Sequence, residues 1–141
     1  HNLKILIEHG FVSRSLQTNH YPYRLLFPDM LGGVPAFLAE MAVYSEPDVV
    51  EFLPALPRAL DQGSIEGICL YTAAKLRSMD WDRKAGTLHA TIVSLNDQTL
   101  TLRYRYGICS ITVNGISYQP QGNDISVSCK AGKEVKVVLN F

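Results

Sequence analysis

The sequence predicts a mainly β protein, an antiparallel β-sandwich preceded by a short α-helical segment. Three observations carry this expectation. Up to about residue 44 the apolar residues recur at helical spacing. Beyond Leu53-Pro54-Ala55-Leu56-Pro57 they alternate, one in and one out, almost to Phe141. The prolines of that stretch fit neither a helix interior nor a central strand, so they mark a rigid, extended joint between two kinds of structure. The domain division expected on this basis is a helical segment over residues 1–48 and a β-sandwich over residues 49–141.

Taken in order, Leu3, Ile5, Leu6, Ile7 and Phe11 form a short apolar stripe closed by Gly10, which reads as a helical turn or two over residues 3–9. A helix that short is unstable by itself and needs something to pack on. From Asn19 to Leu31 the chain reads as an irregular loop held down by Tyr21, Tyr23 and Phe27, with Pro22 and Pro28 within it. Gly32-Gly33 then leads into a second helix whose first turn holds Pro35 and which Glu46-Pro47 ends. Phe37, Leu38, Met41 and Tyr44 share one face of it.

After Leu60-Asp61-Gln62-Gly63, a turn signal, come runs of strand character. The clearest spans residues 99–106, with Leu100, Leu102, Tyr104 and Tyr106 on a dry face and Thr99, Thr101, Arg103 and Arg105 on the other. Ile111 and Val113, then Ile125, Val127 and Cys129, then Val135, Val137, Leu139 and Phe141 repeat the pattern. Asn96-Asp97, Asn114-Gly115, Gly122-Asn123 and Ala131-Gly132 supply turns. Seven or eight short antiparallel strands, each with one buried face, are what a two-sheet sandwich requires.

Composition removes several classes of function. The 141 residues hold 13 basic and 13 acidic side chains and no long block of either sign, which gives no support for a nucleic-acid partner or an anionic membrane surface. Apolar stretches fall short of the roughly 20 residues that span a bilayer, so a soluble chain is expected. It opens on His1, which reads as a terminus made by processing or cleavage. Cys69, Cys109 and Cys129 lack CxxC spacing, against a zinc ribbon or a disulfide framework; they read as buried thiols on sheet positions, with a Cys109 to Cys129 bridge as the alternative.

Candidate sites are few. His1, His9, His20 and His89 show no metal-ligand spacing, and no GxSxG, phosphate loop or HExxH is present, so no cofactor or metal is expected. Asp80-Trp81-Asp82 suggests a sugar-binding platform, a ring with carboxylates beside it; the competing reading is a tryptophan packed into the sheet. Arg103 and Arg105, two apart on the outward face, offer a carboxylate site or simply a solvated face.

Phe27-Pro28-Asp29, Gly32-Gly33, Ala39-Glu40-Met41, Leu53-Pro54-Ala55-Leu56-Pro57 and Gly63-Ser64-Ile65-Glu66-Gly67 follow one another in a particular order and spacing. Met79-Asp80-Trp81, Gly86-Thr87-Leu88, Ala90-Thr91-Ile92 and Ser94-Leu95 continue it. This series resembles the C-terminal end of the α-L-fucosidases of glycoside hydrolase family 95, over most of residues 11–106. The resemblance implies a parent enzyme built as an (α/α)6 barrel with a small C-terminal β-domain. Residues 1 to about 48 would be the end of that barrel, and the N-terminal catalytic barrel domain and a glycan or oligosaccharide would be the partners.

The resemblance further implies an inverting reaction, in which a glutamic acid protonates the leaving oxygen and an aspartate, helped by two asparagines, activates water. Such carboxyl groups stand about 6.5–9.5 Å apart. The acid and the asparagines would lie upstream of His1. Counted back from Ala39-Glu40-Met41, Asp29 falls on the family's general base. Where the family writes Asp-Gly-Asn-Phe-Gly-Gly, this chain writes Asp29-Met30-Leu31-Gly32-Gly33, which alters the loop and removes a polar group. The alternative role for Asp29 is a loop or capping residue before the next helix. Secretion or periplasmic export follows from the resemblance alone. Three functions are thus expected to compete: the inert C-terminal part of a fucosidase-like hydrolase; a glycan-binding module using Tyr71, Trp81, Tyr104, Tyr106 or Tyr118; and a structural cap that binds no ligand.

Overall fold

The computed structural model of the chain describes the backbone of residues 17–20, 23–26 and 28–141 and the side chains from residue 33 onward. Two compact units emerge, His1–Leu38 and Ala39–Phe141. The helical turn expected over residues 3–9 lies outside the described residues.

In the first unit, β1 (Gln17–His20) pairs antiparallel with β2 (Tyr23–Leu26), Gln17 opposite Leu26. Within the stretch from Asn19 to Leu31 expected as an irregular loop, Asn19, His20 and Tyr23–Leu26 are therefore strand, and the residues from Pro28 are helix. That helix, α1 (Pro28–Ala42), starts on a proline, whose missing N–H costs nothing there, and carries Pro35 in its interior. Local preference argues for a later start, because an interior glycine costs about 1 kcal/mol and an interior proline about 3 relative to alanine.

In the second unit the chain passes directly from Ala42 into β3 (Val43–Glu46) and returns as β4 (Val49–Phe52), with Val43 opposite Phe52. Pro47 and Asp48, the latter at φ 62°, make the turn. Proline followed by a positive φ is a type II signature, so Glu46-Pro47 marks a hairpin, and Tyr44 belongs to a strand and not to the helix face expected for it.

Eight further strands follow: β5 (Gln62–Leu70), β6 (Ala74–Asp82), β7 (Thr87–Ser94), β8 (Gln98–Arg103), β9 (Ser110–Val113), β10 (Ile116–Tyr118), β11 (Asp124–Cys129) and β12 (Glu134–Asn140). They complete two sheets, one in the order β10-β9-β12-β7-β6-β5 and one in the order β11-β8-β4-β3. Pairing is antiparallel throughout except between β4 and β8, which run parallel with Val50 beside Leu102. The joint Leu53-Pro54-Ala55-Leu56-Pro57 carries the chain from one sheet to the other. β3 and β4 lie between α1 and this joint, so it does not separate helix from strand.

The inner faces bury Val50, Phe52, Leu100, Leu102, Ile125 and Val127 on one side and Leu76, Met79, Leu88, Ile92, Val137 and Leu139 on the other, in a single core. Fully burying a side chain of this size stabilises by about 1.5–3 kcal/mol, so the β-sandwich has an ample driving force. A bulge assists: Leu76 pairs with Ile92 but Ser78 with Thr91, so Arg77 is extra in β6 and Leu76 and Met79 both turn inward. Asn114 and Gly115, at φ 51° and 79°, form the two-residue turn between β9 and β10 with both φ values positive, as a type I′ hairpin requires. The dry face expected over residues 99–106 holds for Leu100, Leu102 and Tyr104 and fails at Tyr106, 63% exposed, because β8 ends at Arg103 and the chain turns.

Candidate functional site

At one end of the second unit a cleft of about 330 Å3 is lined by Leu56, Arg58, Asp61, Arg83, Tyr104, Tyr106 and Phe141. One wall is the joint and the turn after it. Arg83, in the β6–β7 turn, reaches across to that segment, donating from Nη1 to the Pro57 carbonyl and from Nη2 to the Leu56 carbonyl, each at 3.0 Å. Its backbone N–H donates to the Asp61 carbonyl at 2.8 Å, and Leu60 N–H donates to Pro57 O at 3.0 Å. The β6–β7 turn is itself held by Asp82, whose Oδ1 accepts from the N–H groups of Lys84 and Ala85. The Ala85 bond is the largest of the effects that hold the Asp82 carboxyl below its ordinary range.

The other wall is aromatic. Tyr104 is buried and packs against Phe141 at 4.5 Å between ring centroids; Tyr106 stands edge-on to it at 5.6 Å and 67°. Burial pushes the Tyr104 phenol up. Phe141 is placed by Gly86: its N–H donates to the Gly86 carbonyl at 2.9 Å, and a Cβ on Gly86 would lie 2.5 Å from the Phe141 oxygen. Only glycine tolerates that approach, and Gly86 also has φ at 70°. Asp61 is the one carboxylate side chain lining the cleft, and Lys84 Nζ sits 3.2 Å from its Oδ2. The chemistry offered is a ring face, two guanidinium groups and a neutralised carboxylate, suited to binding.

The residues singled out in the sequence fall elsewhere, Tyr104 and Tyr106 excepted. Asp29 is the second residue of α1, and its side chain lies outside the described residues. Trp81 is 7% exposed, part of the sandwich core, with Nε1 donating to Leu60 O at 3.2 Å. A stacking platform needs an open ring face, and this ring is instead covered by Gly63. Arg103 does meet a carboxylate, that of Asp124, in a bidentate pair with both bonds at 2.8 Å. Arg105 meets buried Glu51, with Nη2 donating to Oε2 at 3.0 Å and Nε against Oε1 without an aligned hydrogen bond. Both arginines are therefore occupied by partners within the chain. His89 Nδ1 lies 2.9 Å from Asp80 Oδ2 on the open face of the larger sheet. Tyr71 is exposed, in the turn between β5 and β6, and is not among the residues that line the cleft. Of the cysteines expected to be buried, only Cys129 is; Cys69 and Cys109 are exposed, and all are free thiols.

Arg58, Asp61, Arg83 and Phe141 were not legible as a group, since no spacing rule joins a joint, a turn and residue 141. The family model described as glycoside hydrolase family 95, C-terminal domain, matches residues 44–137. The chain belongs to this family. The family 95 C-terminal domain is similar in structure to a GH127 β-L-arabinofuranosidase from Geobacillus Stearothermophilus T6, at a TM-score of 0.52 and 16% identity. That alignment covers 85% of this chain and 20% of the other, so the chain spans about a fifth of the length of that protein. At this identity the likeness speaks to fold. No curated protein matches the chain. A glycoside-hydrolase-associated β-domain is the function class these observations define.

Proposed function

We propose that this chain is the C-terminal part of an α-L-fucosidase-like hydrolase that cleaves glycosidic bonds with inversion, and that it does not catalyse the reaction by itself. The hydrolase reading is supported by the family 95 C-terminal match over residues 44–137, and the inactivity of this chain by the carboxylate count of the cleft. Inverting hydrolysis uses a general acid and a general base about 6.5–9.5 Å apart with water between them. Among the side chains that line the cleft Asp61 is the one carboxylate, 3.2 Å from Lys84 Nζ, so no second carboxyl stands across from it. A catalytic barrel domain supplies the remaining machinery, with Asp29 as the general base of the assembled enzyme, and the β-domain is its support.

Two measurements test this. The purified chain releases no product from aryl α-L-fucosides, galactosides or xylosides; turnover by the chain would refute its inactivity. In the enzyme that contains it, Asp29→Asn lowers kcat about 10²–10⁴-fold, the range lost with a general base, while proton NMR of the first product shows inverted anomeric configuration. An unaltered kcat removes Asp29 from the mechanism, and a retained anomer removes inversion.

A further inference from the structure

The side chains that line the cleft carry positive charge that no other side chain among the described residues neutralises. Lys84 balances Asp61. Arg83 is bound to two carbonyl oxygens, which orient its guanidinium but leave its charge intact. Arg58 is exposed and has no salt-bridge partner among the described residues. The lining is thus two guanidinium groups beside the open ring of Tyr106. At about 330 Å3 it lies at the small end of the roughly 300–1,000 Å3 range of ligand pockets, a size for a sugar unit or two.

We infer that the cleft binds an acidic saccharide, a pyranose bearing a carboxylate or sulfate group. The C–H face of the sugar stacks on Tyr106, and the anionic group pairs with Arg58, with Arg83 adding a fixed positive field. This rests on the glycoside-hydrolase reading only in taking the ligand to be a glycan. It is separate from the fucoside-cleaving chemistry, because it involves no turnover and no residue upstream of Leu56.

The pre-organisation of the site favours this ligand over a neutral sugar. Tyr104 and Phe141 form a fixed aromatic floor, and Arg83 is locked, so a neutral sugar gains stacking but leaves the guanidinium charge unanswered. An anion gains stacking and a charge-assisted hydrogen bond together. A planar fork such as Arg58 matches the two oxygens of a carboxylate, or two of a sulfate, side by side.

The test is calorimetric titration of the full 141-residue chain with digalacturonate, with a sulfated galactobiose and with neutral galactobiose. The expected result is binding of at least one acidic ligand at least tenfold more tightly than the neutral one, weakened at least fivefold by Arg58→Ala and by Tyr106→Ala. Raising the salt from about 0.05 to 0.5 M shortens the screening length and weakens the acidic ligand selectively. The carboxylate and sulfate arms tell which anion is preferred. Both side chains are exposed, so unchanged melting of the variants confirms that they fold, and Arg58→Lys, which keeps charge but not the fork, retains part of the affinity. Equal affinity for the neutral disaccharide, unaltered binding by both variants, or no heat from either acidic ligand overturns the inference. A chain that binds acidic sugars in an enzyme with no fucosidase activity refutes only the hydrolase reading, and the reverse pair of results refutes only this one.

Discussion

Gly63→Ala tests whether the tryptophan is packed as described. Gly63 opposes Trp81 on the neighbouring strand, and a Cβ there would lie 2.4 Å from Trp81 Cζ2 and 2.8 Å from Cη2. Gly63 does not have a positive φ, so alanine meets no backbone penalty and the whole effect comes from the indole. The ring cannot simply yield. It is 7% exposed, and swinging it aside breaks the bond from Nε1 to the Leu60 carbonyl. Overpacking a filled core costs about 1–3 kcal/mol, and leaving a buried donor unpaired costs about 1–3 more when the bond is lost outright. Partial relaxation brings the expected total to about 2–4 kcal/mol. With a shift of about 3–4 °C per kcal/mol for a domain of this size, Tm falls by about 6–16 °C. The chain has a single tryptophan, so fluorescence reports the same event through a red-shifted native emission. In a Trp81→Leu background Gly63→Ala is close to neutral, since the clash is gone. A stability within about 0.5 kcal/mol of the parent, with unchanged emission, would refute the packing reasoning.

Other expectations follow from equally local geometry. Gly86→Ala loses about 2–3 kcal/mol by denaturant titration, because alanine both resists φ 70° and strikes the Phe141 oxygen; Gly132→Ala, with the same φ and open space, loses only about 1. Asp124, held low chiefly by its hydrogen bonds from Arg103, has a folded-state pKa below its unfolded value of about 3.9. Its contribution is present above that value and is lost as pH falls through the lower folded pKa, so melting scans between about pH 2 and 6 show a shallower acid limb for Asp124→Asn. Asp97, held low chiefly by Lys130, adds to the same limb with the same sign. A thiol-exchange assay labels Cys69 and Cys109 in the native chain and Cys129 only on unfolding, because burial both covers the Cys129 thiol and pushes its pKa up. Simultaneous labelling of all of them would contradict its burial.

What was legible in the sequence was whatever a period of two could state. Leu100, Leu102, Ile125, Val127 and Val135 each alternate with polar neighbours, and each is buried. The pattern failed where the chain changed direction without a composition change. Tyr106 continues the alternation past the end of β8, and Val43 and Tyr44 continue a helical spacing past the end of α1. Pro47 was ambiguous because a proline ends a helix and starts a tight turn for the same reason, a fixed φ and no donor. The site was harder still. Outward arginines are visible in sequence, but that Arg103 is answered by Asp124 and Arg105 by Glu51 depends on which strands pair: β8 lies between β11 and β4, a long-range fact. Trp81 shows the same limit, since nothing local distinguishes a ring on a sugar-binding face from one lying over Gly63.

The cleft owes its shape to contacts that a ligand does not need to make. Arg83 is held by two carbonyls of the joint, Tyr104 by burial and Phe141 by the glycine at residue 86. Binding therefore has to order only Tyr106 and Arg58, at about 0.5–1.5 kcal/mol for each rotamer-rich side chain. Residues outside the lining should then govern affinity as much as the residues within it. Gly86 touches no ligand, yet an alanine there moves the Phe141 backbone and with it the ring on which Tyr104 rests. Acidic-saccharide affinity should accordingly fall in Gly86→Ala under conditions where the chain is still fully folded, and remain unchanged in Gly132→Ala, which shares its backbone strain and lies outside the cleft. Equal loss in both variants would mean that the effect is one of global stability, and that the cleft is not pre-organised by the β6–β7 turn.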